Sequence, residues 1–544
     1  MPETMNRPLT PSADDLQSLE RLGYKQELKR GLNGFMTFAI GFSMVNVTAT
    51  ITVMFTFGIV TVGPVAMVWG WIIASLFTII VSHSLAEICA VYLGCGSVYN
   101  WSGQLAPREW APYASYWAGI FNWLGLIGLT SAYASAFGIF VSAGWYLSGF
   151  SLLSTDVQVA ISVASVLLWT SMNCFPVEQM GWLSALAAFI MVATSLIIFF
   201  TILLMAPALN TSEYVFFDYN NDTGFTSAAY VAFISILFSV FTLSGYDASC
   251  HMAEETKDSR ASTPVSMLQT IYASCIVGFV FILALLYAVQ SIHSAETTNL
   301  NNAGLAVFLQ ATNTTCANAL TWLLVINIFF GGLSTNTVII RLSFAMIRDK
   351  ATPYTEFFSY VDPTYRTPVN IALVLFFIEV SLQLLALSSA GEYALYSLVG
   401  ISAVGFSISY FIPIAIKYFF PPDDFVLTSM SLGKWSNTFA VISLFWLGST
   451  TIICLFPDKS PITAASMNYS IAVVAAVMLS MGINWHFNAR YTFRGPKRAD
   501  DKDFPDPDAG QPSNEPAESP QFDKSPSYNT DVGLDLETEP LLKK

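Results

Sequence analysis

Charge is scarce in this 544-residue chain: Asp, Glu, Lys and Arg make up 11% of it, against about 25% in a soluble domain. That shortage excludes a water-facing globular fold. Histidine is scarcer still, with 4 residues, and the 7 cysteines show no metal or redox spacing. The cysteines read as small hydrophobes, and no cofactor or metal is expected. No nucleophile–base constellation stands out, and the loops are too short for a soluble catalytic domain, which argues against an enzyme. No span pair carries a filter-like loop, which argues against a channel. A cleavable signal peptide is also missing, so the first span must serve as the insertion signal.

What fills the chain is apolar: 54% of residues are hydrophobic. Long apolar stretches recur at helical-span length rather than the short alternation of a barrel strand. Twelve spans are expected, at 34–56, 64–88, 113–146, 154–174, 182–205, 226–254, 265–289, 316–347, 369–388, 392–418, 436–456 and 467–488. The fold class is therefore all-α integral membrane, with the lipid bilayer as a partner and no sign of nucleic-acid binding. With a cytoplasmic N-terminus, the inner loops receive Arg108, Lys257, Arg260, Arg341, Arg348, Lys350, Arg366, Lys417 and Lys434, and the opposite loops only Lys459. This follows the positive-inside rule and puts both termini in the cytoplasm. The sequons at Asn210, Asn221 and Asn313 all fall in loops assigned to the outer or lumenal side, where glycosylation occurs.

Two spans are interrupted. In the first, Gly41, Ser43 and Asn46 weaken an otherwise apolar helix; in the sixth, Ser244, Gly245 and Tyr246 are followed at once by Asp247. An ionisable group at membrane depth costs roughly 2.5–3.5 kcal/mol on insertion scales and so marks a cavity, a pathway or a partner. Broken spans at matching places in two five-span repeats of opposite topology are how secondary transporters frame a midplane site. Gly41, Ser43 and Asn46 are expected to expose backbone donors at a half-helix N-terminus, suited to a carboxylate. Tyr246 or Phe241 would shield the site or meet a quaternary ammonium, and Asp247 would take a substrate amine or a coupled proton. Glu87, Glu254, Glu255, Arg341 and Arg348 are expected to form an inner gate network. Glu379, inside the ninth span, is expected to have a structural partner rather than a proton-carrying role.

Four segments carry a resemblance: Leu22 to Arg30 before the first span, Ala86-Glu87-Ile88 with Tyr99-Asn-Trp101, Ser244 to Glu255, and Arg341 to Pro353. In that order they resemble the amino acid–polyamine–organocation transporters, and more narrowly their eukaryotic amino acid/choline branch, which includes fungal GABA and choline permeases. The resemblance implies a leucine-transporter-type fold, with ten core helices in a 5+5 inverted repeat, discontinuous first and sixth helices, and two peripheral helices. It implies a permease for an amino acid, GABA or choline working by alternating access. Some bacterial relatives carry a lysine in the fifth span, but Phe189 to Leu196 has none. That leaves sodium, using Ser334 and Thr335, or a proton as the coupling ion; relatives of fungal type favour proton symport.

Three regions follow: a cytoplasmic tail over 1–30, a transporter domain over 31–490, and an acidic, disordered cytoplasmic tail over 491–544 that carries much of the net charge of −14. Glu537 to Leu542 matches an acidic dileucine signal read by sorting adaptors, which leaves the plasma membrane or the vacuolar membrane as the residence. A non-transporting nutrient sensor with the same fold, or a carrier of one specialised metabolite, are the rival readings.

Overall fold

A computed structural model describes residues 28–498, apart from 93, 292–299, 301, 353, 363–364, 388–393, 423–424, 426–427 and 464–466. The dileucine signal and most of both tails lie outside the described residues. Among those described, regular structure is helical, and the one β contact is an isolated parallel bridge between Leu32 and Thr256.

In chain order the helices are α1 (Gly34–Val45), α2 (Val47–Thr61), α3 (Pro64–Cys89), α4 (Val98–Leu105), α5 (Ala111–Leu147), α6 (Thr155–Met172), α7 (Val177–Met205), α8 (Ser212–Phe217), α9 (Ala228–Ser235) and α10 (Leu237–Thr242). They continue as α11 (Ala248–His251), α12 (Ser259–Ala288), α13 (Ala303–Ala311), α14 (Thr314–Arg348), α15 (Thr355–Phe358), α16 (Val369–Leu384), α17 (Ala394–Phe419), α18 (Ser436–Leu455), α19 (Ser470–Asn484) and α20 (Arg490–Thr492). Asparagines start several of them. Asn33, Asn302 and Asn313 accept from the N–H groups of Met36, Leu305 and Cys316, satisfying donors that a helix start leaves open.

Among the described residues, 11 helices are long and apolar enough to cross a membrane, with α1 and α2 counted as one, and Ala228–Thr242 is a shorter twelfth. The sixth span falls short of the length expected for 226–254 because it is broken, first between α9 and α10 and again after Thr242. Helices α4 and α13 went unforeseen: each is too short to stand out as a span. The buried helix α5 lies between α14 and α17, whereas α7, α18 and α19 turn large apolar side chains such as Phe189, Leu204, Phe445 and Leu479 outward. Outward apolar faces of that extent suit hydrocarbon, not water.

The chain keeps contact with the bundle past residue 491. Phe493 packs on the rings of Tyr99 and Tyr116, and Arg498 donates to the carbonyl of Gln104. At the other end, Arg30 Nη1 donates to the carbonyl of Thr256 at 2.9 Å, tying the entry of α1 to the exit of α11.

Helices α5 and α17 approach backbone to backbone at Gly405, where a Cβ would sit 2.5 Å from Gly125 N and 2.6 Å from Phe121 O. Backbone cannot yield as a flexible side chain can. Gly405→Val is expected to cost about 1–3 kcal/mol by overpacking and to lower the thermal midpoint of the detergent-purified protein by roughly 2 °C or more. Gly482→Ala, whose Cβ meets nothing within 4 Å, should leave the midpoint in place.

Candidate functional site

The first break falls at Asn46, which takes the left-handed conformation (φ 43°, ψ 54°) between α1 and α2. Asparagine tolerates that region better than most residues. Its side chain then anchors the break: Nδ2 donates to the carbonyl of Asn327 on α14 at 2.6 Å. Carbonyls released by the break also need donors at membrane depth. Tyr133 on α5 supplies one, its hydroxyl donating to Met44 O at 2.7 Å and lying 3.3 Å from Val45 O. Ser43 Oγ and Asn46 Oδ1 are buried with no partner among the described residues.

This corrects the expected role of Gly41 and Ser43. Helix α1 runs regularly through both, so neither exposes backbone donors, and the donors of the second half-helix begin at Val47. Gly41 serves packing instead: a Cβ there would meet Ser249 Oγ at 2.6 Å and Thr270 Oγ1 at 2.8 Å. A small residue lets α1 lie against α11 and α12.

The second break runs from Leu243 to Asp247, between α10 and α11, with Gly245 at φ +80°, where a side chain would be strained. A Cβ on Gly245 would stand 2.6 Å from the Met44 methyl, and Leu129 and Phe406 close in at 3.4 Å. The two breaks therefore touch. Ser244 turns its hydroxyl back to Val240 O at 2.6 Å. Tyr246 is buried against the ring of Tyr410 at 5.0 Å between centroids, and Phe241 faces Phe57 at 6.0 Å. Beside the break a cavity of about 30 Å³ is lined by Thr78, Val240, Ser244, Tyr246, Phe406 and Tyr410, among others. That volume suits a water molecule rather than an amino acid.

Asp247 is fully buried. Tyr410 donates to Oδ1 at 2.7 Å, while Asn122 Nδ2 and Ser97 Oγ donate to Oδ2 at 3.1 and 3.3 Å. His251 Nε2 lies 3.1 Å from Oδ2, and its Nδ1 lies 3.0 Å from the carbonyl of Cys95. Both ring nitrogens thus face oxygen acceptors, and the acid is compensated where it stands. Such a carboxylate orders the segment after the break by gathering donors from α5, α11, α17 and the turn before α4.

Beyond α11 the acids pair with arginines of α14. Arg341 Nε donates to Glu255 Oε1 at 3.0 Å. The Arg348 guanidinium spans both oxygens of Glu254 at 3.2 Å. The Cys95 N–H also donates to Glu254, at 3.2 Å. Glu87 belongs to a separate cluster: it pairs with Lys417 and accepts from Ser436 Oγ at 2.7 Å and the Leu432 N–H at 3.1 Å. Helix order around the bundle explains the separation. Glu87 ends α3 next to α17 and α18, not next to α14.

Among the sequons, Asn210 directs its amide hydrogens to the carbonyls of Leu286 and Val289, and Asn221 donates to Phe225 O. Asn313 is exposed at the start of α14. Residues overlooked from sequence are Tyr133, Asn327, Asn122 and Tyr410. They sit in unbroken spans, where nothing in the apolar pattern sets them apart. No group of three or more His, Cys, Asp or Glu side chains suited to a metal ion occurs among the described residues.

Residues 32–477 match the family model described as amino acid permease. The chain is 32% identical to the amino-acid permease BAT1 of Arabidopsis thaliana over 88% of its own length and 95% of the relative's. It is 30% identical to the BAT1 homolog of Oryza sativa subsp. japonica, over 88% and 94%. A putative polyamine transporter of Candida albicans is 25% identical, over 89% of each chain.

Removing one donor from a buried carboxylate costs about 1.5–3 kcal/mol. Tyr410→Phe is therefore expected to lower the thermal midpoint of the purified protein measurably, and Asn122→Ala to do so less. An unchanged midpoint in both would mean that Asp247 draws its stabilisation elsewhere.

Proposed function

The chain belongs to the amino acid permease family, a family of membrane transporters and not of enzymes within the amino acid–polyamine–organocation superfamily, and on that footing we propose how it works. It is a secondary active permease for a small amino acid or amine, working by alternating access, with the substrate seated where the two helix breaks meet. The observation that carries this reading is the contact between Met44 and Gly245, which brings two discontinuities, far apart in sequence, to one point. Unwound backbone is tolerated at membrane depth only where protein or a cavity covers it, and such a meeting point is where transporters bind cargo. The buried Ser43 Oγ and Asn46 Oδ1, without partners among the described residues, provide polar atoms for a ligand there. Tyr246 and Phe241 supply aromatic walls that suit the methylene chain of GABA or the ammonium of choline.

In this reading the Glu254–Arg348 and Glu255–Arg341 pairs close the inner end, and Asp247 holds α11 in register with that closure. Both termini are cytoplasmic, following the loop arginines and lysines, and the residence is the plasma membrane or the vacuolar membrane. Coupling is to protons, because acids stand at membrane depth. Asn313 is the glycosylation site we favour, because its side chain is exposed at a helix start.

The test is uptake of radiolabelled amino acids, GABA, choline and polyamines into permease-deficient cells, with pH and sodium varied separately. Saturable accumulation that rises as external pH falls and ignores sodium is expected. Gly245→Leu should cut it at least tenfold with surface expression intact. Uptake by that variant at the wild-type rate would remove the break from the substrate path, and no uptake of any compound by the wild type would turn the reading toward a sensor.

A further inference from the structure

The two acids at membrane depth are treated oppositely by the fold. Asp247 is met by donors on both oxygens. Glu379, near the middle of α16, is as fully buried, yet its single hydrogen-bond partner among the described residues is Asn336 Nδ2, at a long 3.4 Å from Oε2, and Oε1 has none. A buried charge left so poorly covered is costly, so a carboxyl kept there needs a reason.

The helices packed on α16 do not supply a direct counter-charge. Helix α5 carries no Asp, Glu, Lys or Arg, and where it meets α16 it offers Ser135 and the carbonyl of Ser131, both bonded to Gln383. The acid on α6 is Asp156, in the exposed first turn at the far end from Asn173. Helix α15 carries Glu356 and meets α16 at Asn370, whose amide reaches Phe357 O, about 13 Å along the helix from Glu379. Helix α14 carries Arg341 and Arg348, and Arg341 connects to Glu379 only through two amides.

That connection is continuous. Asn336 Oδ1 accepts from Asn173 Nδ2 at 3.1 Å. Asn173 Oδ1 accepts from Thr337 Oγ1 at 2.7 Å and lies 3.5 Å from Arg341 Nη1. Arg341 then donates to Glu255.

We infer that Glu379 is a proton-binding site of the transport cycle, reporting its occupancy through Asn336 and Asn173 to the Arg341–Glu255 pair. The inference rests on the proton-symport reading above. Amide orientation gives the mechanism. With Glu379 as an acceptor, each amide turns its NH₂ toward Glu379 and its oxygen toward Arg341, as seen. A proton on Glu379 Oε2 makes it a donor; Asn336 flips to accept, and Asn173 flips in turn, giving up its 3.0 Å bond to the Trp169 carbonyl. The Asn173 NH₂ then faces the guanidinium, donor against donor, and the inner pair loses a support. Proton loading thereby favours opening at the Arg341 end, which is the order a symporter needs.

Two measurements test this. Protein in liposomes enclosing a pH-sensitive dye receives a mixture of the twenty proteinogenic amino acids and GABA; the wild type should acidify the lumen, and Glu379→Gln should do so at least tenfold more slowly. Wild-type protein treated with dicyclohexylcarbodiimide, which adds across protonated carboxyls in apolar surroundings, should carry an N-acylurea at Glu379 by peptide mass spectrometry. The second readout stands even if the variant does not fold. Normal proton movement by Glu379→Gln, or no adduct at Glu379, overturns the inference. A wild type that accumulates solute without moving protons brings down the symport reading itself, and this control shows that before the variant is tested.

Discussion

Everything around the candidate site follows from one constraint: a backbone that leaves its helix inside hydrocarbon must find partners for the groups it frees. Tyr133 and Thr50 meet that demand at the first break, one donating to Met44 O from a neighbouring span and the other to Val45 O and Asn46 O from the turn that follows, while the Asn46 side chain ties the break to α14. Their partners fix which helices must be adjacent. Asn46 needs α14, and Met44 needs α5, so the order of packing around α1 is set by hydrogen bonding as much as by apolar fit. Gly41 then matters for a different reason, since a Cβ there would press on the hydroxyls of Ser249 on α11 and Thr270 on α12.

Asp247 extends the same logic past the second break. Helix α11 has only four residues, too few to hold itself together. Its carboxylate and His251 fasten it to α5, α17 and the turn at Cys95. That turn also donates to Glu254, so the turn before α4 is bonded both to the segment after the break and to the Glu254–Arg348 pair. On the proposed reading a rearrangement at the break would reach that pair through Cys95.

Much of this was legible in advance. Apolar runs of span length and the interruption of the first and sixth spans by small residues stand in the sequence itself, and the helices follow them. What escaped has a common cause. Gly41 looked like part of the break because glycine signals both a bend and a close approach, and only three-dimensional neighbours separate the two. Glu87 looked like a gate member because inner-end acids and bases share a side of the membrane; which cation it meets depends on helix order around the bundle. Tyr133 and Tyr410 were silent because an aromatic in a span reads as packing until a bare carbonyl or carboxylate is found beside its hydroxyl.

The contrast between Asp247 and Glu379 shows why burial alone is a poor guide to role. Both lie at membrane depth with no exposed surface, and from sequence the acid next to the break drew the functional reading while the peripheral one drew the structural reading. Counting donors reverses the emphasis. A carboxylate that has gathered hydroxyl, amide and imidazole partners is already stable and gains little from changing its proton count. One that has a single long contact is poorly compensated as an anion, so its proton count matters more to the groups around it. On the proposed reading a peripheral helix also suits such a group, since the central break would then be free to accept and release cargo while the proton is held elsewhere.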